Sequence, residues 1–106
     1  MAYSLPMRII TKRTLQRFWE THPRGREAKT PLQVWYSIVE SADWKAPADV
    51  KAIYGDASIL KNSRVVFNIG GNKFRLVVRI NYRLRIVYVR FVGTHDEYDE
   101  IDAETI

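Results

Sequence analysis

A chain of 106 residues with no cysteine and two histidines has the length of one domain, and it lacks the side chains for disulfides, thiolate metal sites, a thiol nucleophile or a histidine-rich zinc site. Its formal charge of +5 hides an asymmetry: residues 1–95 carry all 17 lysines and arginines against six acids, an excess of eleven that attracts polyanions such as nucleic acid, unless it is only a solvated basic surface. No apolar run approaches the ~18 residues of a membrane span and Met1–Pro6 lacks the apolar stretch of a signal peptide, so the chain reads as soluble and intracellular.

Met7–Ile10 reads as a short strand, with residues 1–6 an N-terminal extension ahead of it and Met7 a candidate natural start. Lys12–His22 reads as a helix, with Leu15, Phe18 and Trp19 on one stripe and Pro23 ending it. Arg24–Lys29 is then a basic polar loop. Thr30-Pro31-Leu32-Gln33 has the form of a helix start: Thr30 as N-cap, Pro31 at the first position and Gln33 completing a capping box. The stripe that follows is Leu32, Trp35, Tyr36, Val39 and Ala42. Pro47 opens a third helix through Val50, Ile53 and Tyr54, closed by Gly55. Trp19, Trp35 and Trp44 read as core or core-rim aromatics rather than base-stacking platforms.

From Arg64 the period becomes alternating, and Gly70-Gly71 between β-type residues signals a two-residue hairpin. Pairing Ile69 with Asn72 sets Phe67 against Phe74, and pairing Ile80 with Arg85 sets Phe74 against Phe91 and Arg75 against Arg90. The resulting order, β-α-α-(α)-β-β-β, is an α+β domain over residues 1–106, with helices on the apolar face of a twisted, largely antiparallel sheet. The opposite face carries Asn68, Lys73, Arg75, Arg79 and Arg90, and residues 95–106 form a short acidic helix or tail.

Like charges facing each other on a sheet are unfavourable, so Arg75 opposite Arg90 calls for an anion between them, unless both guanidiniums splay into water or meet the C-terminal acids. Thr94-His95-Asp96-Glu97 fits a capping box, which puts His95 and Tyr98 three positions apart at the start of a helix. A histidine there is often structural. Beside a basic sheet face it can also shuttle a proton, while a tyrosine hydroxyl orients a phosphate or ribose oxygen and arginines neutralise growing charge.

Phe67-Asn68-Ile69-Gly70-Gly71-Asn72-Lys73-Phe74-Arg75-Leu76 and Val89-Arg90-Phe91-Val92-Gly93-Thr94-His95-Asp96-Glu97-Tyr98-Asp99 resemble the signature of HigB toxins, the mRNA interferases of HigB/HigA toxin-antitoxin modules, related in fold to RelE toxins. The likeness spans nearly the whole chain from Met7. It implies a small RelE-like domain that cuts messenger RNA in the cytoplasm during translation on the ribosome. The implied partner is a HigA-like helix-turn-helix antitoxin, through which alone operator DNA is contacted. Carried onto this sequence, Arg75, His95 and Tyr98 are the catalytic candidates, with Asn68, Asn72, Lys73, Arg79 and Arg90 as RNA-binding positions.

The chemistry that follows is attack by a ribose 2′-hydroxyl on the adjacent phosphorus without a cofactor. His95 acts as general acid or base, Arg75 as charge stabiliser and Tyr98 as orienting donor. No metal site is expected, because two-metal hydrolysis needs converging carboxylates and the acids here crowd the C-terminus. The competing readings are a non-catalytic RNA- or DNA-binding module on the same basic face, and an interaction domain for an acidic protein. The acidic tail either folds back to screen that face, or is disordered or helps to bind the antitoxin.

Overall fold

A computed structural model describes residues 5–106; the expected extension lies outside the described residues at positions 1–4. The element order is β1 (Arg8–Ile10), α1 (Lys12–Thr21), α2 (Gly25–Glu40), α3 (Pro47–Ile53), β2 (Ser58–Ile59), β3 (Arg64–Ile69), β4 (Phe74–Asn81), β5 (Ile86–Thr94) and α4 (His95–Tyr98). The five strands form one sheet in the order β1-β5-β4-β3-β2. β1 runs parallel to β5, and the remaining pairs are antiparallel. This is the expected α+β architecture with one addition, the two-residue edge strand β2, too short for alternation to announce it.

One sheet face packs against α1, α2 and α3. Val65, Phe67, Ile69, Phe74, Leu76, Val78, Ile80 and Val87 from the strands meet Leu15, Phe18, Leu32, Trp35, Val39 and Val50 from the helices, all at least nine-tenths buried. Phe67 is the hub: its ring lies 5.4 Å from Trp35, 6.1 Å from Trp44 and 5.1 Å from Tyr54, with edge contacts to Trp35 and Tyr54 and a stack on Trp44. Trp35 and Trp44 are therefore core residues as expected, and Trp19 is half-buried at the rim.

Two boundaries differ from the sequence expectation. α2 begins at Gly25, so the segment expected as a basic loop is helical and Pro31 lies inside the helix rather than at its first position. Packing overrides the capping signal here. Gly25 sits so close to α1 that a Cβ would stand 2.2 Å from the Phe18 carbonyl oxygen, and Ala28 is fully buried behind it. Pro31 still falls within two turns of the helix start, where its missing N–H forfeits a single bond. α3 does open at Pro47, with the Asp49 carboxylate accepting from the Lys45 and Ala46 N–H groups at 2.8 and 3.1 Å.

The strand registers also differ. In the first hairpin Ile69 pairs with Phe74 and Phe67 with Leu76, because the turn spans Gly70–Lys73 and holds Gly70, Gly71 and Asn72 at positive φ. The slip is two residues, so every side chain keeps its expected face. In the second hairpin Ile80 pairs with Val87 and Val78 with Val89. Val77 then pairs with Phe91, leaving Arg90 as the extra residue of a β-bulge. Arg75 consequently faces Gly93, not Arg90, and Phe74 faces Thr94, not Phe91.

Candidate active site

The sheet face away from the helices is built in three rows. Asn68, Arg75 and Gly93 form the first, Val66, Val77 and Phe91 the second, and Arg64, Arg79 and Tyr88 the third. The middle row is apolar and does not stay open. Val66 and Val77 are buried with Ala103, and Leu60, Phe91, Tyr98, Ile101 and Ile106 pack around them. The tail therefore folds back, one of the two expected possibilities, and splits what sequence alone makes a continuous basic face.

The tail is held by apolar burial and a few polar contacts rather than by its charge. Glu104 Oε2 accepts from the Lys61 N–H at 3.1 Å, and the Glu104 carbonyl accepts from Asn62 Nδ2 at 3.0 Å. Among the described residues no side-chain carboxylate of the tail comes within salt-bridge distance of an arginine.

At the hairpin end, Arg75 is half-buried with its guanidinium turned back to the loop, where Nη1 donates to the carbonyls of Asn72 at 3.1 Å and Phe74 at 3.3 Å. Among the described residues no carboxylate lies within salt-bridge distance of it. Asn72 is exposed in that loop. Lys73 turns toward the helical side instead and meets Glu27 at 3.4 Å. Asn68 shares the row of Arg75, but its amide donates to the Asp56 carboxylate at 3.2 Å.

α4 starts where β5 ends. The Thr94 hydroxyl accepts from the Glu97 N–H at 3.2 Å while Glu97 Oε1 accepts from the Thr94 N–H at 2.8 Å, which is the expected capping box. Glu97 is also clamped from the far side by His22. The His22 ring stacks on Phe18, its Nδ1 accepts from the Arg24 N–H at 3.0 Å, and its Nε2 lies 3.0 Å from Glu97 Oε2. With Nδ1 used as an acceptor, the ring proton sits on Nε2 and is donated to the carboxylate. The bond from the Thr94 N–H and the His22 contact together hold the Glu97 carboxyl below its ordinary range.

His95 is exposed on the first turn of α4. Its Nδ1 lies 3.5 Å from the Asp99 carboxylate one turn on, which turns Nε2 outward. Tyr98, three residues along, rests its half-buried ring on the apolar strip. Because Phe74 pairs with Thr94, Arg75 and His95 each stand one residue from a matched pair, at the same end of the sheet. His95, Asp96 and Asp99 bring ligand-type atoms within 4.8 Å of one another, a cluster that is wholly exposed.

Arg79 and Arg90 belong to a different group. Arg79 lies four residues from Arg75 along β4, roughly 13 Å at strand rise, across the covered strip. It faces Arg64, and the three guanidiniums of Arg64, Arg79 and Arg90 line one recess with Asn62 and Ser63.

Arg64, Asp99 and the His22–Glu97 clamp carry no expectation from sequence. Asp99 was legible as the residue four beyond His95 on a helix; the clamp joins distant segments and left no local signal.

The family described as HigB toxin, the RelE-like toxic component of a toxin-antitoxin system, matches residues 28–101. The mRNA interferase toxin HigB of Escherichia coli K12 is 32% identical over 99 residues, covering 92% of each chain. A second mRNA interferase HigB, from Escherichia coli O6:H1, is 25% identical over 97 residues, covering 90% of this chain and 91% of its own. Among the described residues no helix is long and apolar enough to cross a membrane.

Proposed function

The chain belongs to the HigB family of RelE-like toxins of toxin-antitoxin systems, and from that premise we propose that it is an endoribonuclease that cuts messenger RNA in the cytoplasm, on the translating ribosome. Its inhibitor is a HigA-like helix-turn-helix antitoxin, and operator DNA is reached only through that partner.

The observation that carries the reading is the Arg75 guanidinium, which meets no carboxylate among the described residues, at the same end of the sheet as an exposed imidazole, His95, whose Nδ1 faces Asp99. In the proposed reaction His95 Nε2 takes the proton of the ribose 2′-hydroxyl as that oxygen bonds to the adjacent phosphorus. The P–O5′ bond breaks, the 5′-oxygen takes a proton from solvent water, and a 2′,3′-cyclic phosphate remains. The growing negative charge on the phosphoryl oxygens is matched by Arg75, whose donors are already positioned by the hairpin carbonyls. Tyr98 offers a hydroxyl to the same oxygens. Asn72 and Lys73 sit on the exposed loop beside this centre, and Asn68, Arg79 and Arg90 extend the contact to the RNA backbone.

Induced expression of wild type and His95→Ala, with cleavage ends mapped on cellular transcripts, tests the reading. New ends and arrested growth with wild type alone support it. Intact transcripts with both, despite bound RNA, favour a non-catalytic binding module.

A further inference from the structure

The recess between β3, β4 and β5 at the far side of the covered strip has a composition that a folded protein leaves unbalanced only at a cost. Arg64 and Arg79 are directly paired across the β3–β4 ladder, a like-charge pairing that destabilises a sheet. The β-bulge in β5 leaves Arg90 outside the regular pairing and beside them. Among the described residues none of the three meets a side-chain carboxylate within salt-bridge distance. Asn62 and Ser63 close the rim in left-handed backbone conformations.

The recess also already handles an oxygen. The main-chain oxygen of Ile106 accepts from Arg64 Nη2 at 2.5 Å and from Arg90 Nε at 3.2 Å, so two guanidiniums converge on one acceptor. Arg64 Nε is buried with no partner, and the Arg79 side chain makes no hydrogen bond among the described residues, so donors remain unused. Burial, and then the charges of Arg90 and Arg79, make the Arg64 guanidinium easier to deprotonate than usual.

We propose that Arg64, Arg79 and Arg90 form a phosphate-binding subsite, separate from the Arg75–His95 centre, that takes a backbone phosphate of the RNA strand away from the scissile linkage. The proposal rests on the nuclease reading for the identity of the anion. The tail-covered strip of Val66, Val77 and Phe91 lies between the two phosphate positions, so the strand crosses the outside of the tail. The incoming phosphate oxygens take the donors that Ile106 holds, together with the unused ones of Arg79.

The test uses the full chain, its Arg64→Gln, Arg79→Gln and Arg90→Gln variants, and Arg13→Gln on the exposed side of α1 as a control for charge alone. Inorganic pyrophosphate is titrated in thermal unfolding, and a short RNA with a 2′-deoxy residue at the cleavage position is titrated by fluorescence anisotropy over a range of salt. Wild type and the control should be stabilised by pyrophosphate. Each recess variant should bind the RNA about tenfold more weakly, with a salt slope lower by about one. Arg79 is exposed, so its variant reads the site even if Arg64→Gln does not fold. Pyrophosphate stabilisation that needs these arginines supports the subsite even if wild type never cuts RNA, an outcome that counts against the nuclease reading alone. Cleavage by wild type with unchanged RNA and pyrophosphate binding in the variants overturns the subsite and leaves that reading standing.

Discussion

His22 and Glu97 are 75 positions apart in the chain, yet the imidazole Nε2 of one donates to the carboxylate of the other at 3.0 Å. The same carboxylate closes the capping box with Thr94, so one side chain both starts α4 and ties it to the end of α1. The orientation of His95 and Tyr98 follows from this clamp.

Loss of the clamp should appear as a pH effect on stability. The folded Glu97 carboxyl lies below its ordinary value of 4.5, through the Thr94 N–H bond first and the His22 contact after burial is set against them. A group depressed on folding stabilises the protein fully above its unfolded value and loses that contribution as pH falls through the folded one. Urea unfolding of wild type and Glu97→Gln from pH 7 to pH 3 should therefore give a wild-type advantage at neutral pH that shrinks below about pH 4.5. An advantage constant across that range contradicts the assignment.

His95→Ala should lower the single-turnover cleavage rate by about 10²–10⁴-fold with an unchanged melting temperature, since the ring is exposed and its nearest polar partner is Asp99. Asp99→Asn leaves the imidazole in place but removes the carboxylate facing Nδ1. Its loss should be smaller, with the melting temperature unchanged, whereas an Asp99 that plays no part in the reaction would leave the rate where it was.

Arg75→Ala removes the cation nearest the proposed reaction, and cleavage should fall by about 10²–10³-fold. Arg75→Lys keeps the charge without the planar fork that reaches the Asn72 and Phe74 carbonyls, so it should recover only part of the rate. Circular dichroism and antitoxin binding should match wild type for both, which separates chemistry from folding.

Gly93 is paired with Arg75, and a Cβ there would stand 2.6 Å from Phe91 Cζ and 3.0 Å from Glu97 Oε1. Gly93→Ala must push Phe91 out of its place on the tail-covered strip. The cost should be about 1–3 kcal/mol, or on the order of 5–15 °C in melting temperature for a domain of this size. A variant as stable as wild type would mean that the strip adjusts more freely than its packing implies.

The helical and apolar half of the molecule was legible because its signals are periodic. Leu15, Phe18, Trp35 and Val39 recur at helical spacing and Val65, Phe67 and Ile69 at strand spacing, and both sets are buried. Even the two-residue slip in the first hairpin kept faces intact, because an even shift preserves alternation. The start of α2 was hidden, since a tight helix crossing at Gly25 outweighs a local cap at Thr30. The β5 bulge was equally hidden: nothing local distinguishes Arg90 from its neighbours, and one extra residue moves it from beside Arg75 to beside Arg64. The candidate centre was proposed from the two motifs that resemble HigB toxins, whereas its supports depend on tertiary contacts that span most of the chain.

The most direct measurement is the chemistry of the cut ends. Purified protein is given RNA on programmed ribosomes, once with ordinary ribose and once with a single 2′-deoxy residue on the 5′ side of the mapped cleavage position. The account predicts a 2′,3′-cyclic phosphate and a 5′-hydroxyl from the first RNA and no cut at that position in the second. Cleavage of the 2′-deoxy substrate at the same position to give a 5′-phosphate would contradict it.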